Sequence, residues 1–153
     1  MPWVWPIAGR VHIEQRFGEN PDWSIYRNSI APGVNGHPGM DLWSLRDPVD
    51  QTPILASADG EVIIRGESTA FPLRGRVLYL DHLGSDFSTR YYHLSQIFVE
   101  LDDQVKQGEV IAMMGRSGTG DPWEPGKPPR WHLHFGLWSK AQQRFVDPKL
   151  LLS

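Results

Sequence analysis

Trp131-His132-Leu133-His134-Phe135-Gly136-Leu137-Trp138 alternates with a period of two. Trp131, Leu133, Phe135 and Leu137 fall on one side, and His132, His134, Gly136 and Trp138 on the other. Successive side chains of a strand point to opposite faces, so this is the pattern of a half-buried β-strand with an apolar core face. The other face carries two imidazoles, roughly 6.5–7 Å apart at their Cα atoms for about 3.3 Å of rise per residue. Two histidines presented side by side to a groove are a candidate metal-site component, and the missing ligands must come from other segments.

Around this stretch the apolar runs are short and turn formers are frequent, with 15 Gly and 13 Pro spread along the chain. That predicts an all-β protein with many turns. Strands are expected at 11–17, 40–44, 53–56, 61–65, 76–81, 87–94 and 110–114, with 76–81 and 87–94 joined as a hairpin. Residues 18–38 read as a long loop, and loops of that length in compact domains are usually functional. Residues 121–130 are proline-rich and are excluded from regular pairing. Residues 147–152 are read as one closing helical turn.

At 153 residues the chain is expected to form one domain, 1–153, with enough length to bury a core. The net charge is −3 and there is no run of Lys or Arg, which argues against a nucleic-acid or electrostatic membrane binder. No stretch approaches the length of a membrane span. Cysteine is absent, so any zinc must be held by His and Asp or Glu. The first six residues carry neither a basic leader nor a long apolar run, so no signal peptide is expected.

Three further positions bear on the histidine pair. In His37-Pro38-Gly39-Met40-Asp41, proline and glycine oppose a helix, so a turn entering a strand brings His37 and Asp41 towards one point. His93 shares a strand face with Tyr91. Zinc takes imidazole nitrogen and carboxylate oxygen at about 2.0–2.2 Å, and catalytic sites typically keep three protein ligands. His37, Asp41, His132 and His134 together would close the site. In a catalytic site one of the pair therefore stands off and serves as proton acceptor or donor. The spacing leaves open which one. His93 would stabilise an oxyanion or protonate a leaving amine. Zinc lowers the pKa of water to roughly 7 and polarises carbonyls, so the set suits metal-assisted amide hydrolysis.

These motifs resemble the M23 zinc metallopeptidases, the lysostaphin and LytM-like cell-wall endopeptidases, over about 33–148. His37-Pro38-Gly39-Met40-Asp41 matches H-x-G-x-D. Thr52-Pro53-Ile54-Leu55-Ala56 with Asp59-Gly60-Glu61-Val62 is similar to T-P-V-x-A … D-G-x-V. Tyr92-His93-Leu94, Val105-Lys106-Gln107-Gly108, Gly115-Arg116-Ser117-Gly118 and His132-Leu133-His134-Phe135 complete the series in order. The resemblance implies that His37, Asp41 and His134 bind one Zn2+, that His132 is the general base, and that His93 assists it. It also implies a lysostaphin-like fold of two antiparallel sheets with a groove rimmed by long loops, and an extended peptide as substrate, usually a peptidoglycan crosslink. Action on the bacterial cell wall, outside the cytoplasm, is expected; the export route is open, and a phage lysin is one of the sources that fit.

The chain departs from the pattern in three places. Residues 121–130 are longer than the usual link, Gly136 stands where an acidic residue is common, and no tyrosine lies a few residues before His37. Tyr26 is the nearest in sequence and is set aside. His12 and His82 match no motif, and Asp59 and Asp147 are read as turn-steadying carboxylates. Trp43 and Trp123 are candidate groove contacts. Two other classes stand beside the peptidase: a catalytically silent M23-like regulatory module, whose relatives typically lose ligands, and a carrier domain suggested by 105–115. Carrier domains have no use for H-x-G-x-D.

Overall fold

The computed structural model describes residues 2–27 and 34–153. The larger sheet is built from β1 (Val11–Gln15), β2 (Met40–Ser44), β4 (Gly60–Gly66), β5 (Arg76–Asp81), β6 (Phe87–Leu94), β8 (Gln104–Val105), β10 (Leu133–Ser139) and β11 (Arg144–Val146). Its order is β1-β2-β10-β6-β5-β4-β8, with β11 added to β10. β3 (Pro53–Leu55), β9 (Val110–Met113) and β7 (Gln96–Ile97) form the second sheet in the order β3-β9-β7. All strand pairs are antiparallel. The chain is thus all-β with two antiparallel sheets, as the alternation and turn content lead one to expect.

β10 sits in the middle. It pairs with β2 along one edge, where His134 faces Asp41, and with β6 along the other, where His134 faces Tyr92. Leu133, Phe135 and Leu137 are buried, and Leu133 and Phe135 belong to a core cluster with residues of both sheets, among them Ile54, Tyr91 and Ile111. On the opposite side Val77, Tyr79 and Tyr92 make a second apolar cluster with Ile64 and Phe71. Burying this much apolar area supplies the main driving force for the fold.

The strand begins later than its alternation suggests. Trp131 lies ahead of β10, half-buried and outside the core, and His132 makes only an isolated bridge to Gly115. The 18–38 segment contains one helical turn, α1 (Ser24–Arg27); residues 28–33 of that expected loop lie outside the described residues. The closing turn is a 3-10 turn, Pro148–Leu150, whose preceding Asp147 carboxylate accepts from the Lys149 amide at 3.0 Å. Among the described residues no helix is long and apolar enough to cross a membrane.

Gly39 is dictated by crowding. A Cβ there would lie 2.5 Å from the Phe135 carbonyl oxygen and 2.8 Å from His134 Nε2. Backbone and a locked ring cannot both yield, so Gly39→Ala is expected to cost about 1–3 kcal/mol of stability by overpacking. Chemical denaturation measures it, and an unchanged midpoint would refute the crowding.

Candidate metal centre

The register of β2 against β10 sets Asp41 opposite His134, and the tight turn before β2 brings His37 back to the same point. His37 Nε2, Asp41 Oδ1 and His134 Nδ1 lie 3.1 Å from one another on all three sides. All three side chains are buried. A tetrahedral ion with bonds of about 2.0–2.1 Å holds its ligand atoms about 3.3–3.4 Å apart. The triangle is therefore close to the size of one coordination face, and these three residues could hold a metal ion.

The neighbouring hydrogen bonds set the ring tautomers. His37 Nδ1 lies 3.2 Å from the Arg16 carbonyl oxygen. A carbonyl only accepts, so Nδ1 carries the hydrogen and the Nε2 lone pair faces Asp41 and His134. Lone pairs converging in a buried space repel unless a cation or proton lies among them. With His134 Nδ1 turned inward, its hydrogen sits on Nε2, which is buried without a protein partner.

Asp41 is oriented from behind. Its Oδ2 accepts from Gln15 Nε2 at 3.1 Å, leaving Oδ1 for the triangle. Gln15 Oε1 in turn accepts from Asn20 Nδ2 at 2.8 Å and from the Tyr26 hydroxyl at 3.0 Å. Removing such an orienting partner typically weakens metal binding 10–100-fold. Gln15→Ala is expected to show a loss of about that size, read by competition with a chromophoric chelator. Unchanged affinity would show that Gln15 merely fills space.

His132 and His93 share one design. Each donates from Nδ1 to a backbone carbonyl, His132 to Arg130 at 2.7 Å and His93 to Ser117 at 2.8 Å. Both therefore keep an Nε2 lone pair, and both line the groove. His132 Nε2 is 3.4 Å from Asp41 Oδ1, and the His93 and His132 ring centroids are 4.9 Å apart. His93 has φ of 64°, the left-handed region that few residues other than glycine adopt. Gly115 accommodates this bend, since a Cβ there would come within 2.6 Å of the His93 carbonyl oxygen.

Charge separates the four groups. Burial alone would raise the Asp41 carboxyl, but the adjacent His37 and His132 rings, with His134 in contact, hold it well below the usual range. Burial pulls His134 down to about 4, although Asp41 opposes this. Burial, followed by repulsion from the His132 and His134 rings, takes His93 down to about 3. His132 also loses hydration, yet its contact with Asp41 outweighs that and raises it. At neutral pH His134 and His93 are thus neutral, the form a ligand requires. Of the three, His132 binds a proton most readily.

The centre opens into a groove of about 670 Å3. Its lining includes Ile25 and Tyr26, Ala70 to Arg74, and Arg90, Tyr92 and Trp138. All five residues singled out in the sequence, His37, Asp41, His93, His132 and His134, come together here. Tyr26, set aside on spacing, joins them: its ring lies 5.5 Å from His37, and burial followed by the nearby Asp41 pushes its phenol well up, so it stays an O–H donor.

The two tryptophans do not line the groove. Trp43 faces its cross-strand partner His12, whose ring lies on it at 5.1 Å, and packs against the core. Trp123 lies edge-on to Trp23, with the Arg130 guanidinium 4.2 Å from its ring centroid. His82 is buried elsewhere, with its Nδ1 donating to the Asp59 carbonyl and its Nε2 bonded to the Thr89 hydroxyl, both at 2.8 Å.

Comparison with known proteins places this geometry in context. The family profile described as Peptidase family M23 matches residues 35–148. The peptidoglycan DD-endopeptidase ShyA of Vibrio cholerae is 30% identical over 132 residues, covering 80% of this chain and 26% of that protein. The murein hydrolase activator NlpD of Escherichia coli is 28% identical over 146 residues, covering 95% and 30%. The chain thus spans about a quarter to a third of the lengths of these relatives. A zinc-containing peptidase from Vibrio cholerae superposes with a TM-score of 0.69 at 29% identity, covering 96% of this chain and 39% of that one. The catalytic domain of lysostaphin from Staphylococcus simulans shares the fold, with a TM-score of 0.64 at 22% identity over 92% and 90% of the two chains.

Proposed function

Because the chain belongs to peptidase family M23, we propose that it is a zinc endopeptidase that hydrolyses peptide crosslinks of bacterial peptidoglycan, outside the cytoplasm. The observation that carries this reading is the 3.1 Å triangle of His37, Asp41 and His134, set beside two imidazoles that keep free Nε2 lone pairs in an open groove. Two nitrogens and one carboxylate oxygen suit zinc better than magnesium or calcium, which prefer all-oxygen sites. Bound zinc supplies Lewis acidity, which makes water nucleophilic near neutral pH and polarises the scissile carbonyl.

The chain's own residues do the rest. Gln15 holds Asp41 in place, and the backbone carbonyls of Arg16, Arg130 and Ser117 fix the tautomers of His37, His132 and His93. His132 Nε2 accepts the proton of the attacking water, and the adjacent Asp41 favours the imidazolium so formed. His93 is neutral, so it orients the water or the leaving amine by accepting a hydrogen bond, and becomes a donor only after taking a proton.

A second reading, a regulatory module that binds the wall without cutting it, is favoured by the similarity to NlpD. One experiment separates the two: zinc-loaded protein is incubated with crosslinked muropeptides and the products are weighed by mass spectrometry. The peptidase reading expects new amino and carboxyl termini that vanish with chelator and return with zinc. Intact crosslinks with one zinc bound per chain would leave the regulatory reading.

A further inference from the structure

Among the described residues, the groove is lined by a cation that has no carboxylate partner. Arg90 is on β6 between Thr89 and Tyr91, whose side chains are fully buried on the core face, so Arg90 points to the groove side. Its cross-strand neighbours are Tyr79 on β5 and Gly136 on β10. Gly136 has no side chain to offer it. The guanidinium instead lies 4.5 Å from the ring centroids of Tyr79 and Trp138 and 5.0 Å from that of Phe145. Its Nε is buried without a hydrogen-bond partner.

Among the described residues no carboxylate pairs with Arg90, whereas Arg16, Arg46, Arg65, Arg76 and Arg130 each find one. Unlike the arginines in these pairs, Arg90 lines the groove. Arg74 lines the same groove without an acidic partner: its Nη1 donates to the Tyr79 hydroxyl at 2.9 Å, and its guanidinium lies 5.1 Å from the Tyr92 centroid. The Tyr92 ring stacks on His134 at 4.6 Å. Both cations are therefore tied through tyrosine rings to the metal centre.

Ring faces stabilise a guanidinium but leave its N–H donors unsatisfied. Its planar fork matches a carboxylate, which it can pair with through two parallel N–H donors. We propose that Arg90, with Arg74 beside it, is a subsite for a free carboxylate on the substrate peptide. It would favour crosslinks made to an amino-dicarboxylic acid residue over glycine bridges or amidated crosslinks. This rests on the reading of the groove as the seat of a wall peptide.

The probes are two synthetic crosslinked peptides that differ only in whether the carboxylate beside the crosslink is free or amidated, each made uncleavable by N-methylation of the scissile amide. Calorimetry on the zinc-loaded protein is expected to give about tenfold or tighter binding of the free acid. Arg90→Gln is expected to abolish that preference, and a zinc content still near one per chain shows that the variant is folded. Arg90→Lys, which keeps the charge without the fork, should retain only part of the preference. Equal or undetectable binding of both peptides by the wild type would overturn the proposal. So would a preference that survives in Arg90→Gln, since the cation would then only pack. Cleavage is read separately on the unmethylated pair: no turnover with the binding preference intact sinks the peptidase reading and leaves this one standing.

Discussion

His37→Ala is expected to lose its metal and its activity together. Deleting one corner of the triangle leaves Asp41 Oδ1 and His134 Nδ1, two ligands where a stable zinc site needs at least three. Among the described residues, only His37, Asp41 and His134 offer ligand atoms that all lie within 4.8 Å of one another, so no fourth residue stands ready to complete the set. Zinc measured after gel filtration should fall from about one per chain to near zero. Crosslink cleavage should drop by at least about 10³-fold, since the metal's contribution is several kcal/mol. Full zinc occupancy in this variant would show that the ion sits elsewhere.

His132→Ala should separate the two properties. Its imidazole borders the triangle without being one of its corners, so zinc content is expected to stay near one per chain. Turnover is expected to fall by about 10²–10⁴-fold, the usual contribution of a positioned general base. Equal zinc loss in the His37 and His132 variants would reverse the assignment of ligand and base.

Some of this site can be read from the sequence because it is local. Alternation in β10 puts Leu133 and Phe135 inside and His134 on the other face, and H-x-G-x-D carries its own turn, with Gly39 the residue that lets the chain pass over the His134 ring. Other features depend on pairings between distant segments. Gln15 is the last residue of a strand with no clear alternation, and it meets Asp41 only because β1 lies against β2. Tyr26 reaches the site through Gln15, so its distance from His37 along the chain is a poor guide.

The same dependence explains where the reading of single residues goes astray. Trp43 shares the parity of Asp41, but His12 on the adjacent strand takes its face. Trp131 fits the alternation of β10, but the chain is not yet a strand there, since His132 bridges to Gly115 first. Arg90 looks like an ordinary strand residue until its register reveals a glycine opposite and three aromatic rings around it.

The most direct test of the metal centre is an anomalous difference map recorded at the zinc absorption edge from crystals of the purified protein. The expected result is a single peak bonded at about 2.0–2.2 Å to His37 Nε2, Asp41 Oδ1 and His134 Nδ1, with His132 and His93 Nε2 outside bonding distance. A peak ligated by His93 or His132, or no peak in zinc-saturated crystals, would contradict it.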